Sequence, residues 1–129
     1  MTRTANDTLT RYMSGSMPTH ERLEATLPPH PDSCELLVAC PPGNYSASAL
    51  AKAVEDCDAQ LLALSVTGMR DADGHPVVML RANTRAADGI ARSLARYGYE
   101  VVHSAGDLTP AARSEAMARV NELLHYLEI

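Results

Sequence analysis

The sequence predicts one α+β domain, a four-stranded antiparallel sheet with two helices on one face and a further helix at the C-terminus. Three observations predict it. Short apolar segments alternate with stretches of helical periodicity. Each boundary carries its own proline, glycine, capping-hydroxyl or Asp-Gly signal. The chain has 129 residues and is 46% apolar, which suffices for one core and would crowd two. With no Phe or Trp and only five Tyr, that core must be aliphatic and closely packed.

Residues 1–33 read as an arm or linker, rich in Thr, Ser, Asn, Pro and His. A weak stretch from His20 to Leu27 could form a short helix, which Leu27-Pro28-Pro29-His30-Pro31 would stop. Residues 34–129 form the domain proper. Glu35–Cys40 is a short buried strand closed by Pro41-Pro42-Gly43. Ser46 is placed to cap a helix whose Leu50, Ala53, Val54 and Cys57 fall on one stripe. Gln60–Thr67 alternates, with Leu62, Leu64 and Val66 on one side and Leu61, Ala63, Ser65 and Thr67 on the other. The polar segment Met69–Pro76, containing Asp73-Gly74, turns the chain into a third strand, Val77–Ala82. Thr84 is placed to cap a second helix with Ala87, Ile90, Ala91 and Leu94 on its inner face, and Gly98 suits the left-handed position beyond it. Tyr99–Ser104 is the fourth strand. Thr109-Pro110 then starts a terminal helix with the stripe Ala116, Val120, Leu123 and Leu127.

The order strand, helix, strand, strand, helix, strand is the ferredoxin-like βαββαβ arrangement. Both faces of its strands are apolar: Leu36 and Val38 oppose Leu37 and Ala39, and Val77 and Met79 oppose Val78 and Leu80. The helices cover one face. The other calls for a cover, from the terminal helix or from a second copy of the chain, so a homodimer is expected.

Composition excludes several functions. Eleven basic against 16 acidic residues, a net charge of -5, gives no electrostatic reason to hold a phosphate backbone. No apolar run approaches the roughly 20 residues of a membrane span, and no signal core is evident, so a cytoplasmic protein without membrane or nucleic-acid partners is expected. Cys34, Cys40 and Cys57 lack disulfide or zinc spacing, so free thiols and neither metal nor cofactor are expected. The turn after the first strand has neither the cysteine pair of a metal carrier nor an arginine for phosphate hydrolysis. The strands Leu36–Ala39 and Val77–Ala82 offer no aromatic platform for RNA bases.

The stretch Val38-Ala39-Cys40-Pro41-Pro42-Gly43-Asn44-Tyr45, an Ala-rich helix, and Ala59-Gln60-Leu61-Leu62-Ala63-Leu64-Ser65-Val66 resemble the opening half of an ACT domain. Leu94-Ala95-Arg96-Tyr97-Gly98-Tyr99-Glu100-Val101-Val102 resembles its second helix and last strand, and is also similar to ACT-like modules that accompany CBS domain pairs. The resemblance spans residues 34–104. It implies a regulatory module that binds a small molecule, often an amino acid, between paired domains near the turn after the first strand. Cys40 stands where many ACT domains carry an acidic residue, and Tyr45 where they carry an aliphatic one.

The residues supply a physical case for the same place. Gly43 permits close backbone approach, the following helix begins with unpaired amide donors, and Asn44, Tyr45 and Ser46 surround them with polar groups. Pro42, Gly43, Asn44, Tyr45 and Ser46 are therefore the candidate ligand site, suited to a carboxylate. The alternative is that Pro42-Gly43 only turns the chain and Ser46 only caps it. No catalytic residue is assigned. His103 on the last strand could approach Cys40 as a thiol–imidazole pair or as two metal ligands, although a partly buried histidine bonded to backbone is the plainer reading. A small enzyme of the dimeric α+β barrel kind would use His103 or Tyr97, and a non-catalytic dimerisation module is the third reading. Asp56, Asp58, Asp71, Asp73, His75 and the run Arg81, Arg85, Arg92 and Arg96 read as solvated surface groups.

Overall fold

The structure is a computed structural model that describes residues 2–106, with side chains from Asp7 onward. Among these residues it is an α+β fold of four helices and a four-stranded antiparallel sheet. In chain order the elements are α1 (Thr2–Ser14), α2 (Thr19–Thr26), β1 (Cys34–Ala39), α3 (Ala47–Glu55), β2 (Leu61–Arg70), β3 (Pro76–Ala82), α4 (Ala87–Arg96) and β4 (Glu100–Gly106). The strands lie in the order β2-β3-β1-β4. The terminal helix expected from Thr109 lies outside the described residues.

One face of the sheet is buried under α3 and α4. Leu36, Val38, Val78 and Leu80 form its floor, and Leu50, Val54, Ile90 and Leu94 descend on it from the helices. All eight are buried, each contributing about 1.5–3 kcal/mol relative to exposure. The helices also meet through a polar stitch, the Ser93 hydroxyl donating to the Ala53 carbonyl at 2.7 Å. That bond lets Ser93 be fully buried without an orphaned donor.

The predicted helix starts have different outcomes. Ser46 is extended and its Oγ accepts from the Ala49 amide at 3.2 Å, as a cap should. Thr84 is not the cap of α4. Its hydroxyl accepts from the Ala86 amide at 3.1 Å, closing a local turn before a helix that starts without a side-chain cap. Gly98 ends α4 at φ +86°, a conformation that costs a β-carbon-bearing residue more.

The expected faces of β1 and β3 are observed, since Leu36 pairs with Leu80 and Leu37 with Met79. The strict alternation in β2 is not. A register irregularity between Leu61 and Ala63 sets Leu61 opposite Ala82 and Leu64 opposite Leu80, so both pack against the core. Leu62 and Val66, expected beside Leu64, are largely exposed.

The segment before β1 contains two helices. The short helix expected near His20–Leu27 is α2, and α1 forms a second helix against it. The two are joined mainly by polar groups. Arg11 meets Glu21 through two bonds of 3.0 and 2.9 Å, Tyr12 Oη and Thr26 Oγ1 lie 2.9 Å apart, and Arg22 stacks on the Tyr12 ring.

Candidate functional site

The chain leaves β1 at Ala39, and the Cys40 amide donates to the Pro76 carbonyl at 2.9 Å, tying the exit of β1 to the entry of β3. The Asn44 amide then donates to the Pro41 carbonyl at 2.9 Å. Pro42 and Gly43 occupy the middle of this turn, with Gly43 at φ +81°, the pattern of a type II turn. Nothing lies within 4 Å of where a β-carbon on Gly43 would sit, so its backbone faces open space.

Tyr99, just before β4, braces the turn. Its ring is buried and its hydroxyl donates to the Asn44 carbonyl at 2.7 Å. Burial is the main cause pushing that phenol above its ordinary value, with the nearby Cys40 and Tyr45 adding to it. This residue did not figure in the sequence reading of the site. The Tyr-Gly-Tyr punctuation around Gly98 was its only signal.

Ser46 links the turn to α3. Its hydroxyl serves Ala49 and its carbonyl accepts from the Leu50 amide at 3.0 Å, the first bond of the helix. The leading amides of Ala47 and Ser48 have no intrahelical carbonyl to meet. Tyr45 is 47% exposed beside them. Pro42, Gly43, Asn44, Tyr45 and Ser46 thus form one continuous turn at the surface, with donors of the kind a carboxylate accepts from.

The other chemistry-bearing residues are dispersed. His103 pairs with Leu37 across β1 and is exposed, whereas Cys40 lies beyond the strand end and is buried. The thiol–imidazole approach is therefore not formed, because His103 lies opposite Leu37 and not at the end of β1 where Cys40 follows. Tyr97 packs against the helix-covered core and donates to Asp56 Oδ2 at 2.6 Å. It sits across the sheet from His103.

At the β2–β3 hairpin, Asp71, Asp73 and His75 bring ligand atoms within 4.8 Å of one another. Asp71 Oδ1 accepts from the amides of Asp73 and His75 at 3.0 and 2.8 Å, so this carboxylate builds the turn. Nearby, an open depression of about 340 Å³ is lined by Leu37, Val77 and Val102 together with Asp71, Asp73 and Glu100.

Arg81 departs most from expectation. The sequence placed it in a solvated basic run, yet it is buried on the sheet face away from α3 and α4. Its Nη1 donates to the Pro28 carbonyl at 2.7 Å and its Nη2 meets Glu35 Oε2 at 3.3 Å. It thereby fastens the segment after α2 to the sheet. Arg85 reinforces that attachment by donating to the Pro31 carbonyl at 3.2 Å.

Comparison with the known protein families, with curated proteins and with solved structures returns no match.

Proposed function

We propose that the chain is a ferredoxin-like regulatory module of the ACT kind, binding an amino acid or related carboxylate at Pro42–Ser46 and acting as a homodimer. What supports the fold reading is the antiparallel order β2-β3-β1-β4 with α3 and α4 packed on one face. The observation that carries the ligand reading is the surface turn after β1. Gly43 leaves the backbone approachable, Tyr99 holds the turn in place, and the leading amides of α3 follow directly.

The dimer rests on surface that one chain leaves apolar. Leu62, Val66, Met69 and Val102 are each at least 40% exposed, and they lie on β2 and β4, the two edges of the sheet. No described helix is long and apolar enough to cross a membrane. Cys34, Cys40 and Cys57 are free, which suits a reducing cytoplasm.

Thermal unfolding with a panel of amino acids tests the proposal, since a ligand selective for the native state raises its melting temperature. The expected result is a saturable rise for at least one amino acid, with chemical-shift changes at the Gly43 and Asn44 amides and a two-chain mass in sedimentation. A monomer at high concentration with no responsive amino acid would overturn it.

A further inference from the structure

A second polar site lies between the sheet and the segment that leaves α2. Thr26, Leu27, Pro28 and His30 on one side, with Leu62, Ala63 and Arg81 on the other, line a partly open cavity of about 140 Å³. Two of its lining residues hold unsatisfied polar atoms. Arg81 Nε and His30 Nδ1 are both buried and neither has a hydrogen-bond partner. Arg81 is 5% exposed, so water outside the fold does not compensate its third donor position.

An unmatched polar atom of this kind costs about 1–3 kcal/mol, more when it belongs to a charged group. The rest of the guanidinium is engaged and held in place by the Pro28 carbonyl and the Glu35 carboxylate. Its Nε–H is thus a fixed donor in a preformed cavity. His30 is fixed too, because its own carbonyl accepts from the fully buried Ser33 hydroxyl.

The cavity matches the volume of four or five waters at about 30 Å³ each, or a guest of roughly four to six heavy atoms. Water fits it poorly. Each buried water wants two to four polar partners, and much of this wall is the apolar surface of Leu27, Pro28, Leu62 and Ala63. A short amphiphile satisfies both kinds of surface, with one oxygen on Arg81 Nε–H, a second on His30 Nδ1–H, and a hydrocarbon tail against the leucines. Glu35 does not preclude a second carboxylate, since it meets Arg81 at Nη2 and not at Nε, and is itself 25% exposed.

We propose that the cavity between α2 and the β2–β3 sheet face is a binding site for a short aliphatic monocarboxylate, held by Arg81 and His30. The site is separate from the turn after β1 and does not depend on it.

The test is thermal unfolding by circular dichroism with sodium propanoate, propanamide and sodium chloride, at constant ionic strength. Nitrogen-15 spectra of the arginine Nε–H groups supply the local readout. Propanoate is expected to raise the melting temperature saturably and shift the Arg81 Nε–H signal, while the isosteric amide and chloride do neither. His30→Ala, on the segment outside the core, is expected to weaken propanoate about tenfold, the loss of one charge-assisted bond. Ala63→Leu, which fills the cavity, is expected to abolish the response. If Arg81 variants fail to fold, these two still decide the matter. The proposal is overturned by an equal response to propanamide or chloride, by retention in Ala63→Leu, by shifts confined to Gly43 and Asn44, or by no response, meaning a cavity occupied by water only.

Discussion

The two faces of the sheet are built on opposite principles. Under α3 and α4, Leu36, Val38, Leu80, Leu50, Val54, Ile90 and Leu94 interlock, and the helices are stitched by neutral side-chain bonds such as Ser93 to the Ala53 carbonyl and Cys57 to the Gly89 carbonyl. On the other face, Val77 and Met79 are also buried, but beside them lie Glu35 and the buried Arg81, held to the segment after α2. The first face gains stability from area. The second accepts a desolvated charge, which adds little net stability and instead fixes where one segment sits on another. A protein free to choose would bury aliphatic carbon on both faces, so the charged one is where binding specificity should be sought.

Adjacent residues in β1 provide the sharpest test of that contrast. Leu36 is fully buried on the helix-covered face, and its neighbour Leu37 is half-buried on the other. Leu36→Ala is expected to lose about 2–5 kcal/mol in urea unfolding, the usual cost of a core cavity. Leu37→Ala should cost no more than half as much. Equal losses would mean that both faces are packed alike, and the comparison would fail. Next in size is Glu35→Gln, which leaves the Arg81 charge with a weaker neutral partner. A loss of about 1–3 kcal/mol is expected, since a charge-assisted bond is reduced without changing shape. The loss should be accompanied by faster proteolysis after α2 if this pair secures the segment there.

The same contrast explains which parts were readable in advance. Alternation in β1 and β3 follows from chemistry local to each strand, and Leu36/Leu37 and Leu80/Met79 fall on the faces their spacing demands. The irregularity between Leu61 and Ala63 depends on the partner strand, which no pattern within β2 reveals. α1 has Leu9, Tyr12 and Met13 at helical spacing, but Leu9 and Met13 are left exposed, and the contacts that join it to α2 are ionic, hydroxyl and stacking ones, which no apolar pattern announces. For the sites, Pro42-Gly43 and Ser46 advertise a turn and a cap directly. Tyr99 reaches Asn44 over 55 positions, and Arg81 reaches Pro28 over 53. Those partnerships arise from topology, so the arginine was legible as a charge but not as a buried one.

Helix capping gives a smaller effect that separates local from tertiary control on the covered face. Ser46→Ala is expected to cost about 1 kcal/mol, because the Ala49 amide loses its acceptor at the start of a helix packed into the core. Thr84→Ala should cost clearly less, since its hydroxyl serves a turn before α4 and caps no helix. Chemical unfolding of both variants measures the difference. Equal costs would show that α4 draws on Thr84 more than the geometry indicates.

The smallest effect concerns protons under the covered face. Cys34 and Cys40 are buried there, and burial pushes both thiols above the ordinary value of 9.0. Tyr99 is raised from 10.0, again chiefly by burial. For each group the native state keeps its proton more tightly than the unfolded chain does. Their contribution is therefore complete below the unfolded values and is lost as pH climbs from about 9 through the raised native values. Stability should be flat with respect to these groups near neutrality and fall on the alkaline side. Cys34→Ala/Cys40→Ala should show a shallower alkaline fall than the parent, whatever its starting stability. Thiol labelling at pH 8 offers the companion measurement. Cys57 is only half-buried, so it should react first, with Cys34 and Cys40 following at the rate of unfolding. Rapid labelling of all three would show that the covered face opens as readily as the charged one.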